Sequence, residues 1–144
     1  DSIIVIDFGE RLKSVLTSFI FSDISSNEVN FFTINQWFNK TFFNESALQN
    51  LHFPAIDFNN LQKFNKKFLK AFDKKPSEVS ILAYDALGLI YYCWLNNNFQ
   101  FKKEQLYNKE GFKGLHGEFH IEGNLSKQKL IIYKISETKF IKVY

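Results

Sequence analysis

Between Leu82 and Leu95 the chain reads Leu-Ala-Tyr-Asp-Ala-Leu-Gly-Leu-Ile-Tyr-Tyr-Cys-Trp-Leu, and no polar face can be drawn through it. Val79, Ile81, Leu82, Ala83, Ala86, Leu87, Leu89, Ile90 and Cys93 point all around a 3.6-residue period. That pattern predicts a helix covered on every side. A bilayer is not the expected cover, because the run from Ile81 falls short of the roughly 20 apolar residues a hydrocarbon core needs and Asp85 interrupts it. Ser77 supplies an N-cap and Asn96-Asn97-Asn98 a stop.

Upstream, Ser2-Ile-Ile-Val-Ile6 is a continuous β-branched run, the pattern of a strand buried on both faces of a parallel sheet. Asp7 and Glu10 have capping-box spacing, and Leu12, Val15, Leu16, Phe19 and Ile20 then recur at helical intervals. Val29 to Ile34 is a second strand, so strand, helix and strand make one βαβ unit. Asn35 to Asn50 reads as an aromatic and polar segment with a helical turn near Glu45 to Leu48. Leu51 to Ile56 is extended, and Pro54 predicts an edge or connecting strand. Asn59 to Phe72 is an amphipathic helix: Leu61, Phe64, Phe68 and Phe72 form one face, and Lys63, Lys66, Lys67, Lys70 and Lys74 form a solvated stripe on the other. Phe101 to Tyr107 reads as a short helix, and His116–Ile121, Lys129–Ile135 and Lys139–Val143 as strands. The fold class is therefore α/β, a parallel βαβ unit followed by helices and C-terminal strands. A strand apolar on both faces needs more neighbours than one βαβ unit supplies, and the chain opens on Asp1. Both lead us to expect a piece of a larger α/β protein.

Composition narrows the functional classes. Net charge is +3, but Arg11 is the single arginine, which argues against a dedicated phosphate- or base-reading module. One cysteine, Cys93, excludes a disulfide framework or thiolate metal site within the chain. The 18 Phe and absent Met give the core an aromatic character. Sequons at Asn39, Asn44 and Asn124 are no more than an Asn-rich chain produces by chance.

Ligands of parallel α/β sheets lie at the carboxyl ends of the strands, which selects Ile6 to Glu10 and Thr33 to Trp37. There Asp7 can meet a ligand ammonium, and the helix opened by Gly9 offers free amides to a carboxylate. Asn35, Gln36 and Trp37 add hydrogen-bonding groups and a flat wall. His116, Glu118 and His120 alternate in a predicted strand and could share a face toward a metal, though such a face is usually plain surface, and we expect neither metal nor other cofactor. No G-x-S-x-G elbow, Gly-rich phosphate loop or exposed Cys-His pair is present, so an enzyme is not expected. Asp85, set among Ala, Leu and Tyr, must be paired or hydrogen-bonded and reads as a structural polar anchor.

One ordered set of motifs adds to this reading. It runs Phe64-x3-Phe68-x3-Phe72, Lys75-Pro76, Ala83-Tyr-Asp-Ala86, Leu106 and Gly111-Phe-x-Gly-x-x-Gly117, then strands. It resembles the C-terminal part of type I periplasmic solute-binding proteins of the Leu/Ile/Val-binding group, and within that group the penicillin-binding protein activator-like branch. Ile6-Asp-Phe8 and the Trp37 loop fit that branch. The resemblance implies a bilobed protein with a ligand cleft: residues 1–50 in the second lobe, 51–113 the crossover and first-lobe helices, and 114–144 strands crossing back. It adds Phe8 to the cleft residues and brings Glu78 and Ser80 from the other lobe. It implies a non-enzymatic receptor for an amino-acid-like or small polar solute serving an ABC transporter, located in the periplasm and open to lipid anchoring. The alternative it implies is a regulator that binds a peptidoglycan synthase. Ile34-Asn35 stands where the group usually has glycines, a departure at the site itself.

Overall fold

The computed structural model describes residues 1–36 and 38–144, the side chain of Glu78 excepted. The chain forms two compact units, Asp1–Ala55 with Ile131–Tyr144, and Ile56–Leu130.

In the first unit the two β-branched runs pair as expected. Strand β1 (Ser2–Val5) lies parallel to β2 (Asn30–Thr33), with helix α1 (Gly9–Phe21) between them in sequence. Strand β3 (His52–Ala55) adds parallel to β2. Strands β7 (Ile131–Ser136) and β8 (Lys139–Lys142) complete the sheet antiparallel, in the order β1-β2-β3-β7-β8. Alternation puts Phe31, Leu51, Phe53, Tyr133 and Ile135 on one face, where they are buried. Leu12 and Leu16 of α1 are buried in the same unit, and Phe19 meets the Phe31 ring at 5.6 Å. Two short 3-10 turns, Lys40–Asn44 and Ser46–Leu48, replace the single turn expected there. Phe43 from the first packs on Phe140 at 4.6 Å.

Two expectations fail in this unit. Strand β1 is not buried on both faces: it is an edge strand, and Ile4 and Ile6 are 70% and 77% exposed. Pro54 sits in the central strand. The Leu51 carbonyl accepts from Ile135, so alternate residues Leu51, Phe53 and Ala55 bond toward β7, and Pro54 faces β2. Strand β2 ends at Thr33, and the Pro54 carbonyl still accepts on that side, from Gln36 N–H at 3.3 Å.

The second unit holds α2 (Phe58–Phe72), capped by Asp57, and α3 (Glu78–Leu95), capped by Ser77. An antiparallel sheet follows: β4 (Phe112–Gly114), β5 (Gly117–Glu122) and β6 (Leu125–Gln128). Strand β6, Leu-Ser-Lys-Gln, is exposed throughout and has no apolar alternation for a sequence reading to find. Lys63, Lys66, Lys67, Lys70 and Lys74 are all exposed. The helix expected to be covered all round is not: among the described residues of α3 only Ile81 and Cys93 are buried, and Val79 and Leu87 are 72% and 68% exposed. Among the described residues no helix is long and apolar enough to cross a membrane.

Candidate functional site

At the carboxyl ends of β1 and β2 two loops are tied together through one atom. The Asp7 carbonyl accepts from Thr33 Oγ1 and from Gln36 Nε2, each at 3.0 Å. Gln36 is buried, and Nε2 also lies 3.4 Å from the Ile34 carbonyl, so its amide supports the loop from within. The expected capping box does not form. Asp7 Oδ1 accepts from the Phe8 N–H at 2.9 Å, and the N-cap is Phe8, without a side-chain cap. Because the tether holds Asp7 against β2, the helix begins two residues later, at Gly9, whose φ of +61° suits glycine. The amides of Gly9, Glu10 and Arg11 find no acceptor among the described residues, as first-turn amides do without a cap. Phe8 is 61% exposed beside them, and Asn35 is exposed on the neighbouring loop. Trp37 lies outside the described residues. Glu78 and Ser80 stand at the start of α3 in the other unit, where Ser80 N–H and Oγ both meet Ser77 Oγ, at 3.3 and 2.9 Å.

Asp85 is the other organised polar group. Its carboxylate accepts from Leu115 N–H at 2.7 Å, from His116 N–H at 2.8 Å and from His116 Nδ1 at 2.7 Å. Burial pushes this carboxyl up, but the bonds from the His116 ring and the two backbone amides outweigh it, and the group titrates below the ordinary carboxylate range. An ionised Asp85 fixes the proton on Nδ1. Nε2 is then left buried and without a partner among the described residues. Gly114 makes the clamp possible: a Cβ there would lie 2.7 Å from both Cγ and Oδ2 of Asp85.

The same clamp dissolves the histidine face considered as a metal site. Gly117, at φ +102°, breaks the alternation between His116 and Glu118, so β5 starts after His116. His116 is buried against Asp85, while Glu118 and His120 are exposed. No group of three potential metal ligands occurs among the described residues. Thr33 and Gly114 are working residues to which sequence reading gave no role, and His116, read as one of a strand face, is instead the partner of Asp85. The Gly111-x-x-Gly114-x-x-Gly117 spacing was the available signal, but it does not name a partner 30 residues away.

No protein-family model matches the sequence, and no curated protein aligns with it significantly. Solved structures do. A protein described as a branched-chain amino acid ABC transporter from Rhodospirillum rubrum superposes with a TM-score of 0.75 at 12% identity, over 93% of this chain and 42% of its own. The leucine-binding protein LivK from Thermotoga maritima gives 0.65 at 13%, over 99% and 43%. LpoA from Haemophilus influenzae gives 0.64 at 12%, over 99% and 26%. The fold is thus part of the type I periplasmic-binding fold, and the chain spans less than half the length of the structures it matches. By name these structures are binding proteins and a regulator, not enzymes, and at such identities the likeness speaks for the fold.

Proposed function

We propose that the chain is part of a non-enzymatic periplasmic solute-binding protein that delivers an amino-acid-like or small polar solute to a membrane ABC transporter. The observation that carries this reading is the tethered loop pair at the carboxyl ends of β1 and β2. It leaves the Asp7 carboxylate, the free amides at the start of α1 and the exposed Phe8 ring next to one another in sequence. A carboxylate beside free amides suits the ammonium and carboxylate of an amino acid, and Phe8 suits its side chain. Asn35, Gln36, Trp37, Glu78 and Ser80 complete the proposed set, with Gln36 acting as a support. We assign the unit Asp1–Ala55 with Ile131–Tyr144 to the second lobe and Ile56–Leu130 to the first.

Calorimetric titration of the full-length protein with amino acids and related solutes tests the proposal. One solute should bind, and Asp7→Ala should weaken it at least tenfold, with smaller losses for Phe8→Ala and Trp37→Ala. Binding untouched by all three changes would remove the site, and no binding to any solute would remove the function.

A second reading draws on the LpoA likeness, a C-domain of which is described as a regulator of PBP1A. Ile34-Asn35, in place of the usual glycines, favours it. In that case the protein binds a peptidoglycan synthase, and capture of such an enzyme by a protein that binds no solute would support it.

A further inference from the structure

The second unit holds a cavity of about 690 Å³ that the proposed function does not use, within the roughly 300–1,000 Å³ typical of small-molecule sites. Its walls come from α3 and the β4–β5 hairpin, with Asn60 contributed by α2. They are largely aromatic: Tyr84, Tyr92, Phe112 and Phe119 line the space. Phe112 meets Tyr92 edge-on at 6.0 Å and packs on Phe119 at 5.7 Å, so these rings hold one another and leave the space beside α3 open. Gly88 is an independent sign. It is exposed, borders the cavity and stands in the middle of α3, where glycine is the least favourable residue after proline. The other two glycines of the lining have local reasons: a Cβ at Gly111 would lie 2.7 Å from the Phe119 carbonyl oxygen, and one at Gly114 2.7 Å from the Asp85 carboxylate. At Gly88 nothing lies within 4 Å of where a Cβ would be, so no packing within this chain calls for glycine. What its bare backbone provides is room for a flat molecule to lie directly on the helix.

The polar groups set the charge such a molecule can carry. Asp85 lines the cavity, but its carboxylate is spent on Leu115 and His116. Lys113 alternates with Phe112 along β4 and stands opposite Glu118, so its side chain turns away from the face that Phe112 and Phe119 share. No free charge therefore faces the space. The side-chain amide of Asn60 and the hydroxyls of Tyr84 and Tyr92 make no hydrogen bond among the described residues.

We propose that this cavity is a second binding site, separate from the loop pair after β1 and β2, for an uncharged aromatic molecule of bicyclic size or larger that carries a hydroxyl or N–H group. The aromatic walls receive its rings, Gly88 lets it approach the helix, and the Asn60 amide takes its polar group. The site belongs entirely to the unit Ile56–Leu130 and does not depend on a solute binding at Asp7.

The test uses the full-length protein with naphthol as the probe. Naphthol should bind at one molecule per chain in equilibrium dialysis, and naphthalenesulfonate, the same ring system with a charge, at least tenfold more weakly. Gly88→Leu puts a side chain into the cavity and should lower naphthol affinity at least tenfold, while the thermal midpoint holds or rises. Should that variant fail to fold, the wild type gives a second readout: the backbone amide resonances of Gly88, Gly111 and Gly114 should move on titration with naphthol, and those of Gly9 and Asn35 should stay. Absence of naphthol binding, equal binding of the two probes, affinity untouched by Gly88→Leu, or unmoved resonances at the three glycines would each overturn the proposal. Failure of naphthol to bind leaves the solute-binding reading standing, and failure of every amino-acid-like solute to bind leaves this site standing.

Discussion

Asp85 shows how one carboxylate can hold a loop. Three donors converge on it, two of them backbone amides that nothing else among the described residues accepts. Asp85→Ala strands those donors, and we expect a loss of about 2–4 kcal/mol in unfolding free energy, read by urea denaturation. Gly114→Ala pushes a methyl into the same carboxylate and should cost about 1–3 kcal/mol on its own. In the Asp85→Ala background most of that cost should vanish, and a strictly additive double mutant would show that the two do not meet. The pH dependence has a defined sign. The folded protein holds Asp85 below the ordinary carboxylate range, so its contribution is complete above roughly pH 4, the unfolded value, and is lost as pH falls through the folded value. Stability measured from pH 6 downward should therefore fall more steeply in the wild type than in Asp85→Asn. Parallel curves would remove Asp85 from the acid response. The need for a partner was legible from Asp85's apolar neighbours. Its identity was not, because His116 looked like one member of an alternating strand face until Gly117 broke that alternation.

Elements were legible where pattern and burial agree. Helices α1, α2 and α3 and strands β1, β2 and β7 lie where periodicity puts them, since each buries a stripe or a run. Pattern failed for β6, which is exposed throughout, and for β3, where proline's penalty depends on which neighbour its missing N–H would face. It also overstated β1. The run Ile3 to Ile6 carries enough apolar surface for two covered faces, while this chain covers one. An open, apolar edge strand pairs with other chains, so the 144-residue chain expressed alone should self-associate. Sedimentation should show oligomers that Ile4→Lys reduces. A monomer that unfolds cooperatively would contradict this.

For the whole molecule, calorimetry on the full-length protein decides the solute-binding proposal. The sequence by itself determined the three long helices, the strands other than β4 and β6, the α/β class and the apolar character of α3, because hydrophobic periodicity is a local property of the chain. Only the tertiary structure decided which atoms meet: the Asp7 carbonyl with Thr33 and Gln36, and Asp85 with Leu115 and His116. Those contacts join residues 26 to 31 positions apart, a separation set by how strands register and where glycines turn the chain. Of the two ends of α3's story, the excess of apolar surface was written in the sequence. The structure added which side of the helix meets its own unit, with Ile81 and Cys93 buried and Asp85 and Leu89 half-buried between them, because those residues lie one helical turn apart on a single stripe.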